Sequence, residues 1–398
     1  MFLEIILSIT FGLLAGTFTG LIPGLHVNLI TALVVGSFAS FSGLSFVLVA
    51  VFIVSLALTH SFLDSIPSIY LGAPDASQVV AALPGHQMLL EGFGHRAVLY
   101  TLVGSFGALF LTMFFIPLGL VFLPLLASFL SPFIGKILLG VVLLLIALSG
   151  RFLPNTIFFL LAGSLGLLCF SLVSQTQILL PLLSGLFGTS TLIISLSALS
   201  VLPQQNLSKI LPLKISDLER TVSRATLVGI LASFLPGFGS SQAAIMASCT
   251  MKKKTPRDYL LLVGGINTVN FSFSIVTLIV LGKARNGAIL GIQDIVGSLS
   301  SDYLFIFIPT LFLVAGLAVI FGIFISRFAA KSLQNVPYKL VVLSVILFVT
   351  LIVVILSSWQ GFLILVTATS LGILASHFGA QKNMLLGCLL LPVILYLW

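Results

Sequence analysis

Charged side chains are scarce in this sequence, and acidic ones are the scarcest. Only 7% of its 398 residues are charged: 17 are lysine or arginine and 9 are aspartate or glutamate. Soluble domains carry about 25% charged residues, so this composition excludes an ordinary soluble protein. It also argues against a nucleic-acid partner, because there is no soluble basic domain to carry the net charge of +8.

Motifs of catalysis and metal binding are missing as well. The three cysteines, Cys169, Cys249 and Cys388, lie in apolar segments without the spacing of a metal or redox site. The histidines lack metal-ligand spacing, and neither a nucleophile elbow nor a Walker phosphate-binding loop is found. The sequence therefore predicts no enzyme, no catalytic residues, no metal site and no organic cofactor.

The chain is rich in long apolar runs. Hydrophobic residues make up 59% of it, the mean hydropathy is +1.29, and runs such as 97–120 and 303–326 recur along its length. A helix needs about 20 such residues to cross a bilayer. The runs are continuous rather than alternating, which favours helices over a β-barrel. We therefore predict an all-α polytopic (multi-pass) membrane protein of the cell membrane, the inner or cytoplasmic one.

Two of the apolar segments are broken by the same dipeptide. The first break lies in "GLIPGLHVNLI" (20–30) and the second in "SFLPGFGSSQA" (233–243). Alignment of 11–32 with 224–245 pairs Gly16 with Gly229, Pro23 with Pro236 and Gly24 with Gly237. Downstream, residues 58–66 align with 267–275. Internal duplication of this kind is typical of secondary transporters, whose sites form between the repeats.

The charge pattern suggests how the repeats lie. A polar, basic cytoplasmic linker at 203–223 separates transmembrane repeat 1 (1–202) from transmembrane repeat 2 (224–398). With basic loops on the cytoplasmic side, both ends of 224–250 face one side, and its two arms of about 12 apolar residues are too short to span. We predict two inverted-topology repeats, each with a Pro-Gly-broken re-entrant helical hairpin. The number of full spans in 113–200 is left open.

The breaks predict a binding site because they free backbone groups inside hydrocarbon. Proline removes a donor, and the helix that follows begins with unpaired N–H groups and a partial positive charge that favours anions. Such a break must be buried in protein or line a wet cavity. Ser240 or Ser241 would cap that new helix or donate to a substrate. The predicted substrate-binding residues are Pro23, Gly24, His26, Asn28, Pro236, Gly237, Gly239, Ser240, Ser241, Gln242, Asn267 and Asn270.

Charged residues near the breaks have separate predicted roles. Asp64 and Asp75 are candidates for ion coupling, because a carboxylate next to a span is costly unless it is paired or wet. Lys283 and Arg285 fall on the predicted outer side, against the positive-inside trend, and are candidates for attracting an anion. Residues 76–96 are predicted to form an amphipathic surface helix in which Glu91, His95 and Arg96 are solvated.

The two break motifs carry a family resemblance. "GLIPGLHVN" and "FLPGFGSSQA" resemble the repeated Pro-Gly signatures of the large membrane subunit, or permease, of tripartite tricarboxylate transporters, in the archaeal-type branch. "PSIYLGAPDASQVVAALPGHQM" resembles a loop of that family, although Asp75 replaces a usual glycine and His26 a usual small residue. The resemblance implies an ion-coupled carboxylate importer that works with a small membrane subunit and a periplasmic or extracellular binding protein.

The sequence therefore predicts a secondary transporter of an organic anion, most simply a carboxylate, held at the tips of the two hairpins near the membrane midplane. Na⁺ or H⁺ would be the coupling ion. The alternative is a translocase of polyprenyl phosphate, a lipid carrier whose headgroup also suits helix N-termini and flanking lysines. The substrate's identity, the direction of transport and a homo-oligomeric state are left open.

Overall fold

The computed structural model describes residues 2–22, 27–38, 45–72, 79–148, 150–172, 175–196, 203–208, 211, 213–235, 239–251, 255–284, 286–333 and 337–398. These residues are almost entirely helical, and no strand occurs among them. The helices of the first half are α1 (Phe2–Leu21), α2 (Val27–Phe38), α3 (Phe46–Leu63), α4 (Ser65–Tyr70), α5 (Val79–Leu90), α6 (Gly94–Leu130), α7 (Ile134–Leu148), α8 (Phe152–Leu172), α9 (Gln175–Leu183) and α10 (Ser190–Leu196).

The second half has the same helical character. Its helices are α11 (Ile215–Phe234), α12 (Ser240–Cys249), α13 (Pro256–Leu281), α14 (Gly287–Val296), α15 (Leu304–Leu333), α16 (Tyr338–His377) and α17 (Gly387–Tyr396). A π-helical stretch, Ser184–Thr189, joins α9 to α10. Short 3₁₀ turns lie at Ser131–Phe133, Ser301–Tyr303 and Lys382–Leu386.

Seven segments of the described chain are long and apolar enough to cross a membrane. They are Phe2–Leu21, Phe46–Tyr70, Gly94–Leu130, Phe152–Leu172, Pro256–Leu281, Ser301–Leu333 and Lys339–His377. Two of them form the centre of the molecule: buried residues make up 83% of an 18-residue apolar stretch of Pro256–Leu281 and 78% of one of Phe46–Tyr70. The prediction of an all-helical multi-pass membrane protein is confirmed.

Close helix packing in the centre depends on glycine. Gly12, Gly16 and Gly20 recur every four residues on one face of α1, and a Cβ added to Gly12 would lie 2.5 Å from the Phe52 carbonyl oxygen of α3. In the second half, a Cβ on Gly229 of α11 would lie 2.7 Å from the Val269 Cβ of α13. Small residues at such spacing let helix backbones approach, which van der Waals packing in a bilayer requires.

The order of elements repeats between the halves. A 20-residue helix, a short helix after the Pro-Gly motif, and a longer buried helix follow one another in α1, α2 and α3, and again in α11, α12 and α13. Gly16 and Gly229, aligned from sequence, each lie against that long helix. The inverted orientation of the repeats, their re-entrant hairpins and the domain boundaries remain predictions. Helix α11 begins at Ile215, so the arm before the second break is longer than about 12 residues and takes in part of the predicted linker.

One predicted helix is wrong. Residues 76–96 do not form a single surface helix, because α5 ends at Leu90 and α6 begins at Gly94. Glu91 is exposed as expected, but His95 is fully buried and its Nδ1 lies 2.9 Å from the Ser326 Oγ of α15. A local pattern of polar residues predicted a solvated face, whereas the partner that buries His95 comes from more than 200 residues along the chain.

Candidate functional site

The candidate site is built around a break in the third helix. Helix α3 ends at Leu63 and α4 starts at Ser65, with Asp64 between them. Pro67 stands four residues after Leu63, and because proline has no N–H it cannot continue the helical hydrogen bonding to the Leu63 carbonyl. Asp64 is 2% exposed, so its carboxyl group is buried at the carboxyl end of α3.

Asn267 of α13 contacts this break. Its Nδ2 donates to the Asp64 Oδ2 over 2.9 Å and to the Ser61 carbonyl oxygen over 3.3 Å. Asn267 is 8% exposed and lies in the middle of the most buried span. One amide thus ties the carboxyl end of α3 to α13.

The network continues to the helix that follows the second Pro-Gly break. The Ser240 hydroxyl donates to the Asn267 Oδ1 over 3.3 Å, and the Asn270 Nδ2 donates to the Ser240 Oγ over 3.1 Å. Ser240 is the first residue of α12. Hydrogen bonds therefore join Asp64, Asn267, Ser240 and Asn270 in one line, which we call the Asp64–Asn270 network.

The two ends of the network differ in electrostatic character. A helix carries a partial positive charge at its amino end, where Ser240 begins α12. Asp64 brings a buried carboxyl group to the other end of the network. The arrangement favours a cation near Asp64 and an anion near the start of α12.

The cap of α12 differs from the expectation. Its N-cap residue is Gly239, in extended conformation with φ −85° and ψ 178°, and glycine has no side chain to cap with. The Ser240 hydroxyl contacts Asn267 and Asn270 and does not cap the amino end of α12. Ser241 is also buried, at 1% exposure.

Other predicted site residues lie away from the network or outside the described residues. Asn28 packs beside Gly287 at the start of α14, and Lys283 is exposed in the turn between α13 and α14. The helix α12 contains Gln242, whose side chain is not among those described. Outside the described residues lie Pro23, Gly24, His26, Asp75, Pro236, Gly237 and Arg285. Their roles remain predictions.

Sequence reasoning missed one member of the site. The Ser61 carbonyl oxygen accepts from Asn267, and a backbone group carries no signal in the residue pattern. Among the described residues, no group of three or more histidine, cysteine, aspartate or glutamate side chains suited to a metal ion occurs.

Comparison with known proteins identifies the family. A family model described as the tripartite tricarboxylate transporter TctA family matches residues 6–387. An uncharacterised protein of Methanocaldococcus jannaschii is 26% identical over 403 residues, covering 98% of this chain and 98% of its own. No solved structure matches the chain. The match over nearly the whole length confirms the resemblance seen in the Pro-Gly motifs, and the chain belongs to the tripartite tricarboxylate transporter TctA family.

Proposed function

We propose that this protein is the ion-coupled membrane subunit that imports an organic carboxylate across the inner membrane. The TctA family is a family of transporters whose large subunit works with a small membrane subunit and a periplasmic binding protein. The family gives no support to the polyprenyl-phosphate alternative. The observation that supports ion coupling and a carboxylate substrate is the Asp64–Asn270 network.

In this proposal the substrate carboxylate binds at the start of α12, beside Ser240 and Asn270. The first N–H groups of α12 and the Asn270 amide supply donors, and the end of the helix supplies partial positive charge. The residues of both Pro-Gly motifs, with His26, Asn28, Ser241 and Gln242, stay predicted contributors to substrate binding. Lys283 and Arg285 attract the anion from solution.

The coupling ion binds at Asp64. A buried carboxylate repels a substrate carboxylate nearby, since like charges in a low-dielectric interior interact strongly. A Na⁺ or H⁺ at Asp64 removes that repulsion, so ion binding favours substrate binding. Asp75 is a second candidate for the same role.

The network also offers a mechanical link. Asn267 donates to Asp64 from one end of its amide and accepts from Ser240 at the other. A cation that binds the Asp64 Oδ2 displaces the amide hydrogen, because a positive ion and a hydrogen-bond donor then compete for the same carboxylate oxygen. The Asn267 side chain then moves and alters its hydrogen bond with Ser240. In this way, binding of the ion changes the start of α12, where the substrate binds.

The test is ligand-dependent thermal unfolding of the purified chain. Di- and tricarboxylates are added with Na⁺ and without it, over a range of pH. A ligand at 100 times its Kd stabilises the folded state by about 2.7 kcal/mol. We expect a carboxylate to stabilise the protein, and either Na⁺ or low pH to strengthen the effect.

The matched variants are Asp64→Asn and Glu91→Gln. Each removes one acidic group, but Asp64 lies in the network and Glu91 is exposed. We expect Asp64→Asn alone to abolish the ion dependence. A response to short polyprenyl phosphates with none to carboxylates would contradict the proposal, as would unchanged ion dependence in Asp64→Asn.

A further inference from the structure

A second polar cluster lies far from the Asp64–Asn270 network, where the start of α8 meets the segment between α16 and α17. The Arg151 Nη1 donates to the Gly379 carbonyl oxygen over 3.0 Å, and the Gln381 backbone N–H donates to the Asn155 Oδ1 over 2.8 Å. Arg151 directly precedes one candidate span and His377 ends another. The cluster therefore lies at the level where helices leave the membrane.

Lys382 is the central cation of this cluster. Its side chain is partly buried, and its ammonium group donates to the Thr191 hydroxyl of α10. A neutral hydroxyl satisfies one donor but does not balance the charge. Residues 92–216 and 303–398, which include every segment that builds the cluster, contain no aspartate or glutamate. The counter-charge for Lys382 is thus not supplied by a side chain of these segments.

The amide of Asn155 is incompletely bonded. Asn155 is 0% exposed, its Oδ1 accepts from the Gln381 backbone N–H, and its buried Nδ2 has no hydrogen-bond partner among the described residues. A buried amide hydrogen without an acceptor costs free energy. Asn155 contacts the residue next to Lys382, so an anionic oxygen bound at this junction would supply the missing acceptor.

The surroundings of the cluster are apolar and open. Phe152 is 65% exposed, Leu153 is 68% exposed and Phe378 is 62% exposed. In a membrane protein such side chains contact acyl chains, and basic pockets between spans at the membrane surface bind lipid headgroups. The site therefore offers cations for a headgroup beside an apolar surface for its chains.

We propose that Lys382, with Arg151, Asn155 and Thr191, binds the headgroup phosphate of an anionic phospholipid. Lys382 and Arg151 supply the charge, and the Asn155 amide supplies a directed donor. The lipid fills the junction between α8, α10 and the end of α16 and holds these helices together. This site is separate from substrate binding, so its test does not depend on the transported molecule.

The experiment is thermal unfolding of the delipidated full chain in detergent. The probes are phosphatidylglycerol, phosphatidylcholine and sodium phosphate, each titrated separately. We expect phosphatidylglycerol to raise the unfolding temperature at concentrations where phosphatidylcholine does not. Equal effects of the two lipids would overturn the proposal. An equal effect of sodium phosphate at the same concentration would identify a site for a soluble anion and would overturn the lipid assignment.

Three variants locate the effect. Lys382→Gln should raise the concentration of phosphatidylglycerol needed for half the stabilisation at least tenfold, whereas Lys382→Arg, which keeps the charge, should retain most of the binding. Lys136→Gln is the matched control, because Lys136 is exposed at the start of α7 and lies over Phe133. Equal losses in Lys382→Gln and Lys136→Gln would overturn the site. If Lys382→Gln does not fold, Arg151→Gln carries the same expectation against the same control.

Discussion

The side-chain amide of Asn267 donates to the carboxylate of Asp64 over 2.9 Å, although the two residues are 203 positions apart in the chain. Asp64 closes the third helix and Asn267 lies midway along α13. This contact brings the aligned segments 58–66 and 267–275 together, so equivalent parts of the two halves meet at one buried carboxylate.

Asn267→Ala should destabilise the protein. The substitution removes a donor from the buried Asp64 carboxylate and an acceptor from Ser240, and a buried polar group left without its partner costs about 1–3 kcal/mol. The measurement is the unfolding temperature in detergent. Gln204→Ala is the control, because the Gln204 side chain is exposed. Equal stability of the two variants would show that the network contributes nothing to the fold.

Gly16→Ala should separate α1 from α3. A Cβ at Gly16 would overlap the Leu56 carbonyl oxygen and lie 2.7 Å from the Thr59 Cβ, so the helices must move apart. Overpacking of this kind typically costs about 1–3 kcal/mol. The yield of monodisperse protein and its unfolding temperature report the effect.

The control for that substitution is Gly140→Ala in α7. Nothing lies within 4 Å of a Cβ placed there. Alanine in a helix interior is favoured over glycine by about 0.5–1 kcal/mol, so this variant should be as stable as the parent or more so. A Gly16→Ala protein that matches Gly140→Ala would contradict the packing argument.

Gln205→Ala should loosen the attachment of residues 203–208 to the α5–α6 turn. Gln205 is 6% exposed, accepts from the Gly94 backbone N–H over 2.9 Å and donates to the Leu89 carbonyl oxygen over 3.0 Å. Without it the start of α6 loses a partner. We expect faster proteolysis near 203–208 and faster hydrogen exchange at Gly94, while Gln204→Ala, at an exposed neighbour, should leave both rates unchanged.

Stability should fall at low pH through His86 of α5. The His86 Nδ1 lies 2.9 Å from the Ile69 carbonyl oxygen, and burial lowers the pKa of this imidazole below its usual value. The folded state therefore resists the proton that the unfolded chain binds below about pH 6.5. The stabilising effect is present above that pH and is lost as pH falls.

The check is the unfolding temperature between about pH 8 and pH 5. His86→Gln keeps a donor for the Ile69 carbonyl but cannot be protonated, so its unfolding temperature should fall less with acid than that of the parent. The exposed His377, changed to glutamine, serves as the control. Identical pH curves for His86→Gln and the parent would rule out this assignment.

Much of the site was suggested by residue pattern. Asp64, Ser240, Asn267 and Asn270 stand out as polar residues within apolar segments, and the structure joins them in one network. The same reasoning was wrong for His95, because a run of polar residues does not tell which of them another helix will cover. It also missed the Ser61 carbonyl oxygen, because this acceptor is a backbone group and every residue type has one.

The sequence by itself determined that this chain is a helical membrane protein of the TctA family. Scarce charge and continuous apolar runs leave helices as the way to satisfy the backbone in lipid, and two Pro-Gly motifs mark where those helices break. Only the tertiary structure decided that Asn267 of α13 joins Asp64 to Ser240 of α12, and that residues 379–382 contact Arg151, Asn155 and Thr191. Apolar runs and Pro-Gly motifs determine which residues are helical and where a helix ends. Contacts between distant segments depend instead on how closely glycine lets each pair of helices pack.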